Sequence, residues 1–93
     1  MPRVRISENV VHRSFGAETV LLNLDTGRYH GLRGSGGRML EVLAETPDLD
    51  QSARRVAAEL DHPVEDVRRD MTALCRALAD RELISVEDDN ESP

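Results

Sequence analysis

Apolar positions change their rhythm partway along the chain. From Val10 to Leu32 they follow the short, β-branched runs of strands: Val10-Val11-His12-Arg13, then Thr19-Val20-Leu21-Leu22-Asn23-Leu24, then Arg28-Tyr29-His30-Gly31-Leu32. Gly16 and Ala17 mark the first turn, and Asp25-Thr26-Gly27 reads as a three-residue hairpin connection ending in glycine. With that connection Leu24 pairs with Arg28, Leu22 opposes His30 and Val20 opposes Leu32. A slip of one residue would exchange the two faces.

After Gly34-Ser35-Gly36-Gly37, which reads as a loose joint, the spacing becomes helical. Ser35 is a candidate cap for a first helix whose buried stripe is Met39, Leu40, Val42 and Leu43, and Thr46-Pro47 stops it. Asp48 or Asp50 can cap a second helix carrying Ala53, Val56, Ala57 and Leu60 on one face. Pro63 suits the start of a third helix, from about Val64 to Arg81, striped by Val64, Val67, Met71, Leu74 and Leu78. Leu83 to Val86 can add a short strand. The pattern predicts an α+β, winged helix-turn-helix-like domain: a three-stranded antiparallel N-terminal sheet followed by three helices. Residues 1–86 form this single domain, and residues 87–93 are expected to be a disordered acidic tail.

Size and composition narrow what such a domain can do. Ninety-three residues build one modest core, and with Phe15 and Tyr29 as the only aromatic residues it must be aliphatic. No stretch is apolar enough for an export signal or a membrane span, and Cys75 is the lone cysteine, so a reducing cytoplasmic location is expected. All twelve basic residues are arginine, the codon habit of a GC-rich genome. Residues 1–33 hold five arginines against three acids, residues 34–81 seven against ten, and residues 82–93 none against five.

Catalytic chemistry finds no foothold. His12, His30 and His62 fall in three different elements without cysteine or histidine partners at metal-ligand spacing, so no metal and no cofactor is expected. Cys75 sits among Leu74, Ala77 and Leu78, as a buried inert thiol would. Gly34 to Gly37 lacks the Lys-Ser/Thr pair of a phosphate loop. A winged helix also raises DNA binding, with Arg68, Arg69 and Arg76 on the third helix and Arg54 and Arg55 on the second. Glu65, Asp66, Asp70 and Asp80 share the third helix and would face phosphates, which argues against nucleic acid as a partner.

The segment Leu21-Leu22-Asn23-Leu24-Asp25-Thr26-Gly27-Arg28-Tyr29-His30-Gly31-Leu32, followed by Arg38-Met39-Leu40-Glu41-Val42-Leu43 and by Leu78-Ala79-Asp80-Arg81-Glu82-Leu83-Ile84, resembles the PqqD-like family. The similarity spans about residues 6 to 86. Two departures stand out: Arg33-Gly34-Ser35-Gly36 replaces a common Asn-Pro-Thr-Gly, and Glu82 replaces a frequent glycine.

The resemblance implies a recognition element for the leader segment of a ribosomally made precursor peptide. It implies that the leader adds a strand to the sheet edge formed by Arg28, Tyr29, His30, Gly31 and Leu32. Val67, Asp70, Met71 and Leu74 of the third helix would form the other wall. The chain looks most like the stand-alone partners of lasso-peptide leader peptidases. A peptide chaperone for a radical SAM enzyme of PQQ synthesis is the alternative, and a winged-helix DNA-binding regulator is a more distant one. The expected partners are a leader peptide and a separate leader peptidase or other maturation enzyme, with no membrane partner. A monomer is expected in dilute solution, with a domain-swapped dimer accessible at high concentration.

Overall fold

The computed structural model describes residues 2–88. In chain order the elements are β1 (Pro2–Ile6), β2 (Val10–Phe15), β3 (Glu18–Asn23), β4 (Tyr29–Arg33), α1 (Ser35–Glu45), α2 (Leu49–Leu60), α3 (Val64–Asp80) and β5 (Ile84–Asp88). The expected three-stranded antiparallel sheet is present in the order β2-β3-β4, and the three helices follow it. A second sheet pairs β1 with β5, joining the two ends of the described chain. The sequence pattern predicts the strand after Leu83 but not its partner β1. The run Pro-Arg-Val-Arg-Ile has only Val4 and Ile6 as apolar signal, and its partner lies at the far end of the chain. Glu87 and Asp88 extend β5, and residues 89–93 of the expected tail lie outside the described residues.

The β3–β4 register differs from the expected one by a single residue. Leu22 faces Tyr29, Leu21 faces His30 and Thr19 faces Leu32. The cause is the Asn23 side chain. Its Oδ1 accepts hydrogen bonds from the backbone N–H groups of Asp25 (2.9 Å) and Thr26 (3.2 Å) and from Nδ2 of Asn9 (3.2 Å). Asn23 therefore closes the hairpin against Arg28, donating its N–H to the Arg28 carbonyl at 2.8 Å, and Leu24 leaves the strand to bond the carbonyl of Asn9. The loop gains a residue, so Thr19, Leu21 and Asn23 turn inward and Val20 and Leu22 lie on the outer face.

The helices pack beneath that inner face. Leu21, Leu32, Met39, Leu40, Val42, Leu43, Val56, Met71 and Leu78 form the centre of the core, with Val4 and Ile84 bringing in the second sheet. Ser35 is the first residue of α1 and makes no cap; the cap position is Gly34, whose φ of 62° and ψ of −136° are open only to glycine. Gly36 and Gly37 belong to the helix, so the joint between sheet and helices is a single residue rather than a loose segment. Asp48 caps α2 by accepting from the N–H of Gln51, and Asp61 ends it in a left-handed conformation. Pro63 precedes α3, and Arg68 of α3 pairs with Asp50 of α2.

Candidate functional site

β4 is an edge strand, bonded to β3 on one side only. The ladder is in phase with two bonds at its ends, Asn23 N–H to Arg28 and Gly34 N–H to Ala17. Antiparallel alternation then directs the backbone of His30 and Leu32 toward β3. The N–H and C=O groups of Tyr29, Gly31 and Arg33 turn to the open side. Side chains alternate in the perpendicular sense: Leu32 is buried and His30 half-buried on the core face, while Tyr29 stands 77% exposed on the outer face.

Beside the first half of this edge lies an open groove of about 620 Å³, lined by Asn23, Thr26, Arg28, Tyr29, His30 and the turn from Asp80 to Leu83. The groove brings together β4 and the C-terminal end of α3, whereas the wall implied by the family resemblance, Val67 to Leu74, lies further back along the helix and outside this lining. The imidazole of His30 has its pKa lowered from the ordinary value, first by desolvation and second by the positive charge of Arg81 across the groove. Glu82, in the lining, adopts a φ of 61°, the left-handed conformation for which a glycine would carry no penalty.

The α3 residues expected to form the opposite wall separate into two sets. Met71 is fully buried and Val67 is 3% exposed; both belong to the core and present nothing to a ligand in this structure. Asp70 is exposed and Leu74 half-buried. Helical geometry explains the division. Arg68, on the flank of α3 that bonds Asp50, faces α2, whereas Asp70, Leu74, Ala77 and Arg81 line up along the opposite flank. That flank is open, and its last member, Arg81, is in the groove beside β4. The sequence reading does not include Ala77, Arg81 or Arg33 among the site residues; the spacing of Asp70 and Leu74, extended forward by two further turns, reaches Ala77 and Arg81.

Burial pushes the Cys75 thiol up to about 11, far from the thiolate a nucleophile needs. Among the described residues no group of three or more His, Cys, Asp or Glu could hold a metal ion, and no helix is long and apolar enough to cross a membrane.

Comparison with known proteins agrees with the fold. The structure of TbiB1 in complex with the TbiA(beta) leader peptide is similar over 96% of this chain and 99% of that one, with 32% identity and a TM-score of 0.78. The structure of a lasso peptide synthetase B1 complexed with the leader peptide matches over 89% of this chain and 98% of that one. Its TM-score is also 0.78, and at 19% identity it speaks for the fold alone. No curated protein is similar enough to match. Residues 18–84 match the model of the family described as Coenzyme PQQ synthesis protein D, and the chain belongs to the PqqD family.

Proposed function

We propose that this protein binds the leader segment of a ribosomally synthesised precursor peptide by strand addition to β4, and presents it to a separate processing enzyme. The observation that carries this reading is the open edge: Tyr29, Gly31 and Arg33 offer main-chain donors and acceptors to a partner, with the α3 flank alongside. Main-chain pairing supplies affinity for any extended segment, and the side chains of the flank supply selectivity. The likeness to a leader-bound TbiB1 over nearly the whole chain supports the same reading and favours a lasso-peptide pathway. The family's description favours a second setting, a chaperone for the peptide precursor of PQQ beside a radical SAM enzyme. Affinity for the precursor encoded next to this chain separates the two.

The protein acts by holding its peptide, not by cutting it. With leader and enzyme held together, the scissile segment reaches an effective concentration on the order of millimolar, so the gain is largest when precursor is scarce. Exposed Glu65, Asp70 and Asp80 on α3 support a role without nucleic acid, and the buried lone thiol supports a cytoplasmic one. One copy of the chain suffices for this role, because edge, flank and groove belong to a single protomer, and a domain-swapped dimer remains accessible only at high concentration.

Proline at position 31 provides the test. The Gly31 N–H points away from β3, so Gly31→Pro leaves the sheet ladder intact while removing a donor from the open edge. Calorimetry with the synthetic leader should show at least about a tenfold loss for Gly31→Pro and little change for Gly31→Ala. Equal binding by a folded Gly31→Pro protein would rule out strand addition at β4.

A further inference from the structure

We propose that the groove between His30 and Arg81 is a carboxylate subsite, so that the peptide held on β4 carries an aspartate or glutamate side chain at that point. This rests on the strand-addition reading and names the chemistry of its ligand. Three nitrogen-bearing side chains converge there from three places: His30 from the inner face of β4, Arg28 from the loop before it, and Arg81 from the cap of α3. Seven ion pairs are present among the described residues, and neither Arg28 nor Arg81 takes part in any of them. Asp80 and Glu82 line the same groove without pairing with either arginine. Asp80 and Glu82 are both exposed, and neither carboxylate reaches ion-pair distance of a guanidinium group among the described residues.

A strand laid along β4 covers this end of the groove and strips water from the guanidinium groups. An arginine desolvated without a partner is costly, and the ligand must supply the acceptor. A carboxylate suits it best, because the planar guanidinium can grip both oxygens. The same anion would favour the protonated form of His30. The charged and titratable groups around His30 are Arg28 just before its own strand, Asp80, Arg81 and Glu82 from the end of α3 and the turn after it, and His12 beyond Leu21 on the same sheet face. Binding of the acid then takes up a proton, so affinity should rise as pH falls through the histidine range.

The experiment selects binders from a displayed library of random peptides of about a dozen residues, fused through their C-termini so that no free terminal carboxylate is present. Wild type should enrich peptides sharing an acid at one fixed position. Arg81→Gln should lose that preference while keeping the apolar positions. In a selected peptide, Asp→Asn should weaken wild-type binding about tenfold and leave Arg81→Gln unaffected. The wild-type affinity should increase from pH 7.5 to 5.5, and His30→Gln should flatten that dependence. Enriched peptides without an acid preference, or with one that survives Arg81→Gln, overturn the subsite while strand addition stands. If the enriched peptides bind Gly31→Pro as well as wild type, or if wild type enriches none, the strand-addition reading falls and the subsite with it.

Discussion

Gly37 of α1 rests directly on Thr19 of β3: a methyl group at Gly37 would lie 3.0 Å from the Thr19 Cβ and closer still to its hydroxyl. Thr19 cannot swing away cheaply, because its branched side chain is stiff and its hydroxyl meets that of Ser14 at 2.9 Å. Gly37→Ala should therefore destabilise the fold by about 1–2 kcal/mol, overpacking outweighing the better helix propensity of alanine. At neighbouring Gly36 a methyl would meet only the Leu32 Cβ at 3.7 Å, an ordinary contact. Gly36→Ala should be neutral or stabilising by a few tenths of a kcal/mol. Urea denaturation of the two variants measures both, and equal effects would contradict the close approach.

Asn23 sets the hairpin register through three accepted hydrogen bonds. Asn23→Ala leaves two loop N–H groups without their acceptor and should cost about 2 kcal/mol. Because the outward phase of β4 depends on that register, peptide affinity should fall as well. Slowed amide exchange at Leu21 and Leu32 in wild type, lost in the variant, would locate the effect in this ladder.

Met71→Asp should unfold the protein, since it buries a charge at the centre of the core, at a cost of about 3–5 kcal/mol. Ala77→Glu, on the exposed flank, should keep the circular-dichroism spectrum and melting temperature of wild type while weakening leader binding. A folded Met71→Asp protein would place α3 differently.

Glu82→Gly relieves a left-handed backbone and should stabilise the protein by about 0.5–1 kcal/mol. The thermal midpoint is the readout, and a lower midpoint would mean that the Glu82 side chain contributes more than its conformation costs.

Cys75 should resist thiol reagents at pH 8 in the native state and react on unfolding. Its folded pKa, about 11, exceeds the ordinary thiol value, because burial disfavours the thiolate. The unfolded chain therefore loses its proton first as pH rises. Stability from this group is intact below the ordinary value and declines between it and about 11. Cys75→Ala should abolish that part of the alkaline decline.

Helices and hairpins were legible because their apolar residues recur at the period of the element: Met39 to Leu43 and Val56 with Ala57 are buried as their spacing requires. The register was not, because it hangs on where the Asn23 side chain points, and residue order is silent on that. At the groove, a stripe spaced by threes and fours defines one side of α3 but not its depth. Met71 and Val67 lie at the centre of that stripe and are core, while Leu74 at its margin is half-buried. The exposed flank begins where the apolar stripe ends, among residues such as Ala77 and Arg81 that carry little hydrophobic signal.

The pairing of β1 with β5 makes Pro2 and Asp88 cross-strand neighbours, at the end of that sheet away from Leu83 and the groove. Strand rise separates Leu83 from Asp88 by roughly 15 Å. Cargo attached at either end of this segment, whether an enzyme, a dye or a surface tether, would start clear of the peptide edge. A short linker from Asp88 to Pro2 could close the chain into a ring, with fresh ends opened at the exposed Gly16–Ala17 turn. Such a permutant would keep β4, α3 and the groove between them in one uninterrupted stretch.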